Sequence, residues 1–157
     1  MSEDEQTYKS AGKSEKELQH QLIMQFGQQY PQYRDLLFEV NNDTYNQRHA
    51  AKRKSMGMVA GVSDLILVSP YTGNVHPIEL KAPGSRHKAT HIARQITWQR
   101  QIRSAGGVAI ISANFDRVYA FIVSILNDDI QNAAIIADTE RNIVLRKLDK
   151  GQATIAF

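Results

Sequence analysis

Large apolar side chains recur every four residues near the start of the chain, at Leu18, Leu22 and Phe26. This spacing is that of one face of an amphipathic helix packed on a core. Ser14 followed three residues later by Glu17 has the form of a capping box, in which each side chain bonds the backbone of the other residue. We therefore predict a helix over residues 14–29, preceded by a polar and disordered tail over residues 1–13.

Short apolar runs bounded by turn residues follow this helix and predict strands. The predicted elements are a strand over residues 36–40, a polar segment over residues 41–48, a short basic helix ending at Gly57, and a hairpin of residues 64–68 and 75–81 joined by a turn at residues 69–74. After a break at residues 82–85, apolar positions return to helical spacing and predict a helix over residues 90–105.

The inward face of the predicted helix over residues 90–105 carries two amides, Gln95 and Gln99, among its isoleucines. A buried amide needs a hydrogen-bond partner. Two alternatives are open for Gln95: a contact with Glu79 or a metal-bound water near the site described below, and a bond to a backbone carbonyl.

The remaining pattern predicts a strand over residues 107–112 and a helix that Asn114 or Asp116 caps. The buried stripe of this helix is predicted to be Val118, Phe121, Ile122 and Ile125. Residues 127–157 form a C-terminal extension, with a short apolar helix through Ala137 and a pair of strands over residues 143–148 and 153–157. We expect the extension to pack on the domain or to contribute to a dimer interface.

Candidate chemistry lies in the hairpin, where Asp64 opens one strand and Glu79 and Lys81 end the next. Side chains alternate along a strand, so Glu79 and Lys81 share one face. Two carboxylates can hold divalent cations that polarise a phosphodiester and activate water, and a neighbouring lysine can stabilise the developing charge. The alternative interpretation is a solvated strand face with a weak surface ion pair.

The order and spacing of several short runs resemble the VRR-NUC family, the virus-type replication-repair nucleases of the PD-(D/E)XK superfamily. The runs are residues 14–19, Tyr30-Pro31, residues 37–42, Gly57, residues 61–65, residues 78–81, residues 95–98 and Gly106-Gly107. The resemblance covers residues 14–126, which it marks as a nuclease domain. It implies an α/β fold with a restriction-endonuclease-like core in α-β-β-β-α-β order, a mixed central sheet flanked by helices.

The resemblance also implies a set of site residues. Asp64 and Glu79 would be the metal-binding carboxylates, Leu80 would offer its backbone carbonyl, and Lys81 would be the catalytic lysine. Gln95 matches the family's glutamine. The first helix contributes a further carboxylate for catalysis and metal binding, assigned to Glu17 with Glu15 as the competing candidate. The implied cofactor is Mg²⁺ or Mn²⁺.

Composition is that of one soluble domain, with 157 residues, 42% hydrophobic content and a formal net charge of +3. Basic side chains cluster before the site at Arg48, Lys52, Arg53 and Lys54, and after it at Arg86, His87, Lys88, Arg94, Arg100 and Arg103. These clusters favour a surface that follows a DNA backbone, while the alternative for the second cluster is a solvated helix face. His87 and His91 are more typical of such a basic pair than of a zinc site on a helix.

Several classes of function lack support in the sequence. With no cysteine, the chain has no disulfide and no thiolate zinc site. It has no phosphate loop that would indicate a nucleotide cofactor, and no signal peptide or membrane span. We expect a cytoplasmic protein of a bacterial cell or of a phage-infected host.

These observations predict a metal-dependent, structure-specific DNA endonuclease acting at Holliday or other branched junctions. Since a four-way junction needs two paired cuts, a homodimer is expected. The alternatives are a flap, nicking or general DNA nuclease, a nuclease acting on RNA, and a DNA-binding protein that keeps the fold without turnover.

Overall fold

The structure is a computed structural model and describes residues 12–43 and 45–157. The prediction of a disordered tail over residues 1–13 falls almost wholly on residues outside these ranges. Within the described ranges, no helix has both the length and the apolar character needed to cross a membrane.

Five α-helices, a 3₁₀ helix and six short strands make up the described chain. In chain order they are α1 (Glu15–Gln29), the 3₁₀ helix (Pro31–Leu36), β1 (Leu37–Glu39), α2 (Gln47–Ser55), β2 (Leu65–Val68), β3 (Val75–Leu80), β4 (Arg86–Lys88), α3 (Ala89–Ser104), β5 (Ile110–Ser112), α4 (Phe115–Leu126), α5 (Ile130–Leu148) and β6 (Thr154–Ala156). The boundaries predicted up to α4 lie within a few residues of these.

The main sheet has four strands in the order β1-β2-β3-β5. β2 pairs antiparallel with both β1 and β3, whereas β3 and β5 are parallel. β4 and β6 form a separate antiparallel pair. The prediction of an α/β fold with a mixed sheet flanked by helices is therefore confirmed.

Each face of the main sheet buries a different set of apolar side chains. One face, with Leu65, Leu67, Ile78, Leu80 and Ile110, packs against the apolar stripes of α1 and α4 and the first half of α5. On the other face Ile111 packs with Ile92 and Ile96 of α3, Val144 of α5 and Ile155 of β6. Since Glu79 alternates with Ile78 and Leu80, its side chain lies on the α3 face of the sheet.

Helix α1 begins as the sequence predicts. The Ser14 hydroxyl accepts a hydrogen bond from the Glu17 backbone N–H at 3.2 Å, and the Glu17 carboxylate accepts one from the Ser14 N–H at 2.9 Å. Both halves of the capping box are present. The helix is thus fixed at the end nearest the candidate site.

The C-terminal extension differs from its prediction. The strand predicted over residues 143–148 is wrong, because α5 continues without a break from Ile130 to Leu148. Ala133, Ile136, Ala137, Glu140 and Val144 share its buried face, a spacing that belongs to a helix. The last predicted strand exists as β6, but its partner is β4 rather than a neighbour in the extension.

Gly107 sits where the chain enters β5 against the start of β3. A Cβ atom on Gly107 would lie 2.1 Å from the Val75 carbonyl oxygen and 2.7 Å from Cγ2 of Ile102. No side chain fits in that space, so this glycine is required for the parallel pairing of β3 and β5.

We predict that Gly107→Ala lowers the free energy of unfolding by about 1–3 kcal/mol, the usual cost of forcing atoms into a packed interior. Gly12→Ala is the matched control, because a Cβ there meets nothing within 4 Å. Urea unfolding of both variants measures the difference. Equal stability of the two variants would contradict the close approach at Gly107.

Candidate functional site

A cleft of about 300 Å³ opens beside β3, between α1, β4, α3 and the loop that precedes β2. We call it the central cleft. It is lined by Glu15, Asn42, residues 58–62, Asp64, Glu79, Lys81, His87, His91, Arg94 and Gln95. The predicted residues Asp64, Glu79, Lys81, Gln95 and Arg94 are thus brought to one place from three separate segments.

Strand register explains why the two carboxylates meet. Leu65 pairs with Ile78 across β2 and β3, and one further step of this antiparallel register sets Asp64 opposite Glu79. Asp64 is partly exposed in the cleft, while Glu79 is 1% exposed. The hairpin therefore fixes the spacing of both acids by its backbone pairing.

Lys81 lies two residues beyond Glu79 and on the same face. Its Nζ atom donates to Oε1 of Glu79 at 3.0 Å, and the lysine is 2% exposed. A surface ion pair, the alternative interpretation of this motif, does not fit such burial. Because a buried charge is costly unless it is paired, each side chain depends on the other.

Burial alters the acidity of both carboxyls. It raises the pKa of Glu79 to about 7, an effect that the Lys81 ammonium opposes and the Asp64 carboxylate adds to. Burial also raises the pKa of Asp64, again with Lys81 opposing. The site would gain from a further positive charge beside the two acids.

Two buried side-chain oxygens of the described chain have no polar partner, Oε2 of Glu79 and Oε1 of Gln95, and Oε1 of Glu15 has only the His87 ring nitrogen beside it, at 3.0 Å. All three residues line the central cleft. Buried polar atoms are nearly always satisfied in folded proteins, so unpaired acceptors concentrated in one cleft indicate a missing donor or cation. This is the strongest sign that the cleft binds something.

The choice between Glu15 and Glu17 follows from the first turn of α1. Glu15 lines the central cleft, whereas Glu17 does not. The Glu17 carboxylate instead accepts a hydrogen bond from the Ser14 backbone N–H in the capping box. The structure therefore places Glu15, the competing candidate, in the cleft and Glu17 outside it. The physical reason is that two residues along a helix rotate the side chain to a different face.

His87 is the nearest basic neighbour of Glu15, with Nε2 at 3.0 Å from Oε1. Burial and the Lys81 charge lower the pKa of His87, whereas the neighbouring Glu15 carboxylate opposes this shift. His87 lies on β4 and His91 in the first turn of α3, so the two do not form the helical pair considered for zinc. Both histidines nevertheless line the cleft.

The two amides of α3 are both buried, at 3% exposure each, and they differ in their partners. Gln99 donates to the Ile110 carbonyl at 3.1 Å and to the Ser63 hydroxyl at 3.3 Å, which ties α3 to β5. Gln95 faces the cleft with its oxygen unpaired. Of the two alternatives for Gln95, the bond to a backbone carbonyl is absent.

Of the basic residues predicted to contact DNA, Arg94 lies in the cleft and the others lie outside it. Arg94 lines the cleft, and Arg53 lines a neighbouring groove and donates to the Asn41 carbonyl at 3.0 Å. Arg48, Lys52 and Lys54 lie exposed on α2, and Arg86 and Lys88 lie exposed on β4. Arg103, by contrast, pairs with Asp138 at 3.6 Å.

Sequence reasoning missed the loop over residues 58–62, which forms one wall of the cleft. The sequence feature that marks this loop is Gly61, which has a positive φ of 85°. A Cβ atom added at this position would lie 2.7 Å from the Arg94 carbonyl oxygen. A glycine is needed for the loop to approach α3 so closely. The glycine is visible in the sequence, but its contact is not.

A second set of hydrogen bonds supports β3 from the C-terminal extension. The Ser112 carbonyl accepts from the Lys81 backbone N–H at 2.9 Å, and the Ser112 hydroxyl donates to Glu140 of α5 at 2.8 Å. Arg117 also contacts Glu140, with Nε 3.3 Å from Oε1. The backbone at Lys81 is therefore held in place through α5.

Among the described residues, no three His, Asp or Glu side chains form a ready-made metal cage. Magnesium does not require one, since it is commonly held by one or two carboxylates and completes its shell with water and substrate phosphate. Asp64 and the unpaired Oε2 of Glu79 fit that arrangement, with Glu15 close by. The donors are all oxygens, which suits Mg²⁺ or Mn²⁺ better than a softer metal.

No protein-family model, curated protein or solved structure matches this chain. Functional inference therefore depends on the cleft and on the residues themselves.

We predict that metal-free protein loses stability as the pH rises from 4.5 to about 7, the range over which folded Glu79 keeps a proton that the unfolded chain releases. The loss from this group is on the order of 3 kcal/mol, from the size of the shift. Unfolding measured with EDTA present at pH 5 and pH 8 tests this. The free energy of unfolding of the parent minus that of Glu79→Gln should be larger at pH 5 than at pH 8. The same difference at both pH values would contradict the prediction.

Proposed function

We propose that this protein is a Mg²⁺- or Mn²⁺-dependent endonuclease that hydrolyses phosphodiester bonds in DNA. The observation that carries the proposal is the convergence of Asp64, Glu79 and Lys81 on a cleft in which Oε2 of Glu79 and Oε1 of Gln95 are buried without a partner. Two carboxylates can hold a divalent cation, and a lysine and nearby arginines can stabilise the charge on a phosphodiester during hydrolysis.

Asp64 and Glu79 would hold the metal, with Glu15 and the backbone carbonyl of Leu80 as further ligands. The metal, when bound, neutralises the phosphate and supplies an activated water. Burial raises the pKa of both Glu79 and Asp64, and it favours this binding because a bound cation stabilises the carboxylate charges that burial disfavours.

Lys81 would position the phosphate and stabilise the negative charge that develops on it. Its ammonium is held by Glu79 at 3.0 Å and faces the same cleft, where it can donate to a phosphate oxygen as negative charge develops there. Gln95, whose oxygen is unpaired, can orient a water molecule between α3 and the acids.

The order α1-β1-β2-β3-α3-β5 supports the more specific fold assignment, a restriction-endonuclease-like core. In this assignment β2 and β3 are the hairpin that carries the acids, and α3 supplies the glutamine. The α2 helix and β4 are additions between these elements.

DNA with a junction or branch is the proposed substrate. Exposed basic side chains lie on both sides of the cleft, on α2 and on β4, and they can neutralise phosphates of two separate strands. A homodimer would cut a four-way junction at two symmetric positions.

Cleavage of a labelled four-way junction, a flap and a linear duplex tests the proposal. With Mg²⁺ or Mn²⁺ we expect symmetric cuts in the junction, and none with EDTA. Asp64→Asn, Glu79→Gln and Lys81→Ala should each reduce the rate by at least about 100-fold, the effect typical of lost electrostatic stabilisation at the reacting phosphate. Binding of the junction without any cutting by the parent would place the protein among non-catalytic DNA-binding proteins.

A second comparison tests the carboxylate of α1. Glu15→Gln should lower the cleavage rate and raise the Mn²⁺ concentration needed for half-maximal activity, because Glu15 faces the acids across the cleft. Glu17→Gln should instead lower thermal stability through the loss of the capping box. The reverse pattern of effects would return the catalytic assignment to Glu17.

A further inference from the structure

A second concavity adjoins the central cleft and has a different character. We call it the side groove; it has a volume of about 400 Å³ and an apolar lining of Val40, Met56, Met58, Val59 and Val62. Met58, Val59 and Val62 also line the central cleft, so the two spaces are continuous. The volume is within the range of sites for small ligands.

The side groove exposes apolar surface that the protein does not cover. Met56 is 76% exposed and Val59 52% exposed, although both are large and apolar. The two most exposed large apolar side chains of the described residues, Tyr45 and Met56, stand on either side of α2. Apolar side chains so exposed beside a cleft mark a binding surface.

The charge around the groove identifies the partner. No acidic residue occurs between Asp43 and Asp64, while this stretch contains four arginines and lysines, all in α2. Arg53 is the charged residue that lines the groove, so the groove matches a molecule that is flat and apolar in one part and anionic in another. A nucleotide in DNA has that chemistry, with an apolar ring face and a charged phosphate.

The polar rim of the groove suits the edge of a base. Asn41 and Asn42 line it, and amide side chains offer both a donor and an acceptor to a base. The Asn42 amide donates to the Val62 carbonyl at 3.3 Å, and Arg53 donates to the Asn41 carbonyl at 3.0 Å. These bonds connect both walls of the groove and define its shape before any ligand binds.

We propose that the side groove binds one unpaired nucleobase of DNA next to the phosphate that is cut. This inference rests on the proposed function and specifies its substrate: DNA in which a nucleotide adjoining the scissile phosphate is free of its pairing partner. A fully paired duplex keeps its bases stacked and cannot fill the groove. Branch points and bulges expose such a base at low cost.

The test compares three DNA duplexes that differ at one position: fully paired, with a single bulged adenine, and with a bulged abasic nucleotide. Binding is measured by fluorescence anisotropy with EDTA present, so that no cleavage occurs. We expect the bulged adenine to bind roughly tenfold more tightly than the abasic bulge, near the lower end of the effect of a base stacked on an aromatic ring, because the groove offers aliphatic and methionine side chains instead. The abasic bulge keeps the backbone and flexibility, so this ratio isolates the base.

Substitutions in and outside the side groove test whether the preference for the bulged adenine arises there. The double variant Met56→Ala with Val59→Ala should reduce the ratio to about one, whereas Met24→Ala, which truncates a methionine 49% exposed on α1, should leave it unchanged. Lys52→Ala should weaken binding to all three duplexes by a similar factor, since it removes a phosphate contact.

A ratio of one in the parent, or an unchanged ratio in the double variant, would overturn the inference. So would a change of oligomeric state in the double variant with an unchanged ratio, because the groove would then contact a second copy of the chain. The proposed function fails separately: base-dependent binding without cleavage in Mg²⁺ would keep the groove and discard the nuclease, and junction cleavage with a ratio of one would do the opposite.

Discussion

The buried pair of Glu79 and Lys81 is the interaction on which the site depends. Both side chains project from β3 toward α3, and each is nearly inaccessible to solvent. Neither charge could remain there alone, since desolvation of an unpaired ion costs several kcal/mol. Yet the pair is incomplete, because one oxygen of Glu79 stays without a partner while the pKa of its carboxyl is raised. The fold thus tolerates an unsatisfied acid at the position where a cation is proposed to bind.

The surroundings keep that pair in place from two directions. On one side α3 packs through Ile92 and Ile96 and bonds the sheet through Gln99. On the other, Ser112 accepts from the Lys81 backbone and is itself bonded to Glu140 on α5. A site that must hold charges at fixed distances needs such support from rigid elements. Helix α5 therefore belongs to the structure of the site, although it lies outside residues 14–126, the segment predicted from the sequence to be the nuclease domain.

Local patterns predicted most of the secondary structure and part of the cleft. Residues only a few positions apart determine the capping box at Ser14, the hairpin around the turn at Gly73 and the buried stripe of α4. The structure contains all three as predicted. The placement of Asp64 opposite Glu79 also follows from the hairpin alone.

What escaped prediction depends on contacts between distant segments. The turn of Glu15 toward the cleft is decided by the way α1 docks on the sheet, and the wall formed by residues 58–62 depends on the approach of Gly61 to α3. Residues 143–148 resemble a strand by composition, but they are helical, and Val144 packs with residues of α3, β5 and β6. Contacts between distant segments do not produce a periodic pattern of residues in a single sequence, so they could not be predicted from it.

The pairing of β4 with β6 has a consequence for synthesis. His87 stands on β4, and Phe157 packs edge-on against its ring at 5.5 Å between centroids, while the Gly84 and Phe157 backbones bond each other. The strand that carries His87 is thus paired with residues about 70 positions further along the chain. A growing chain can form the hairpin that carries Asp64 and Glu79 before residues 154–157, the partner of β4, have been made. The placement of His87 beside the cleft is therefore completed later in synthesis than the pairing that sets the two acids opposite each other.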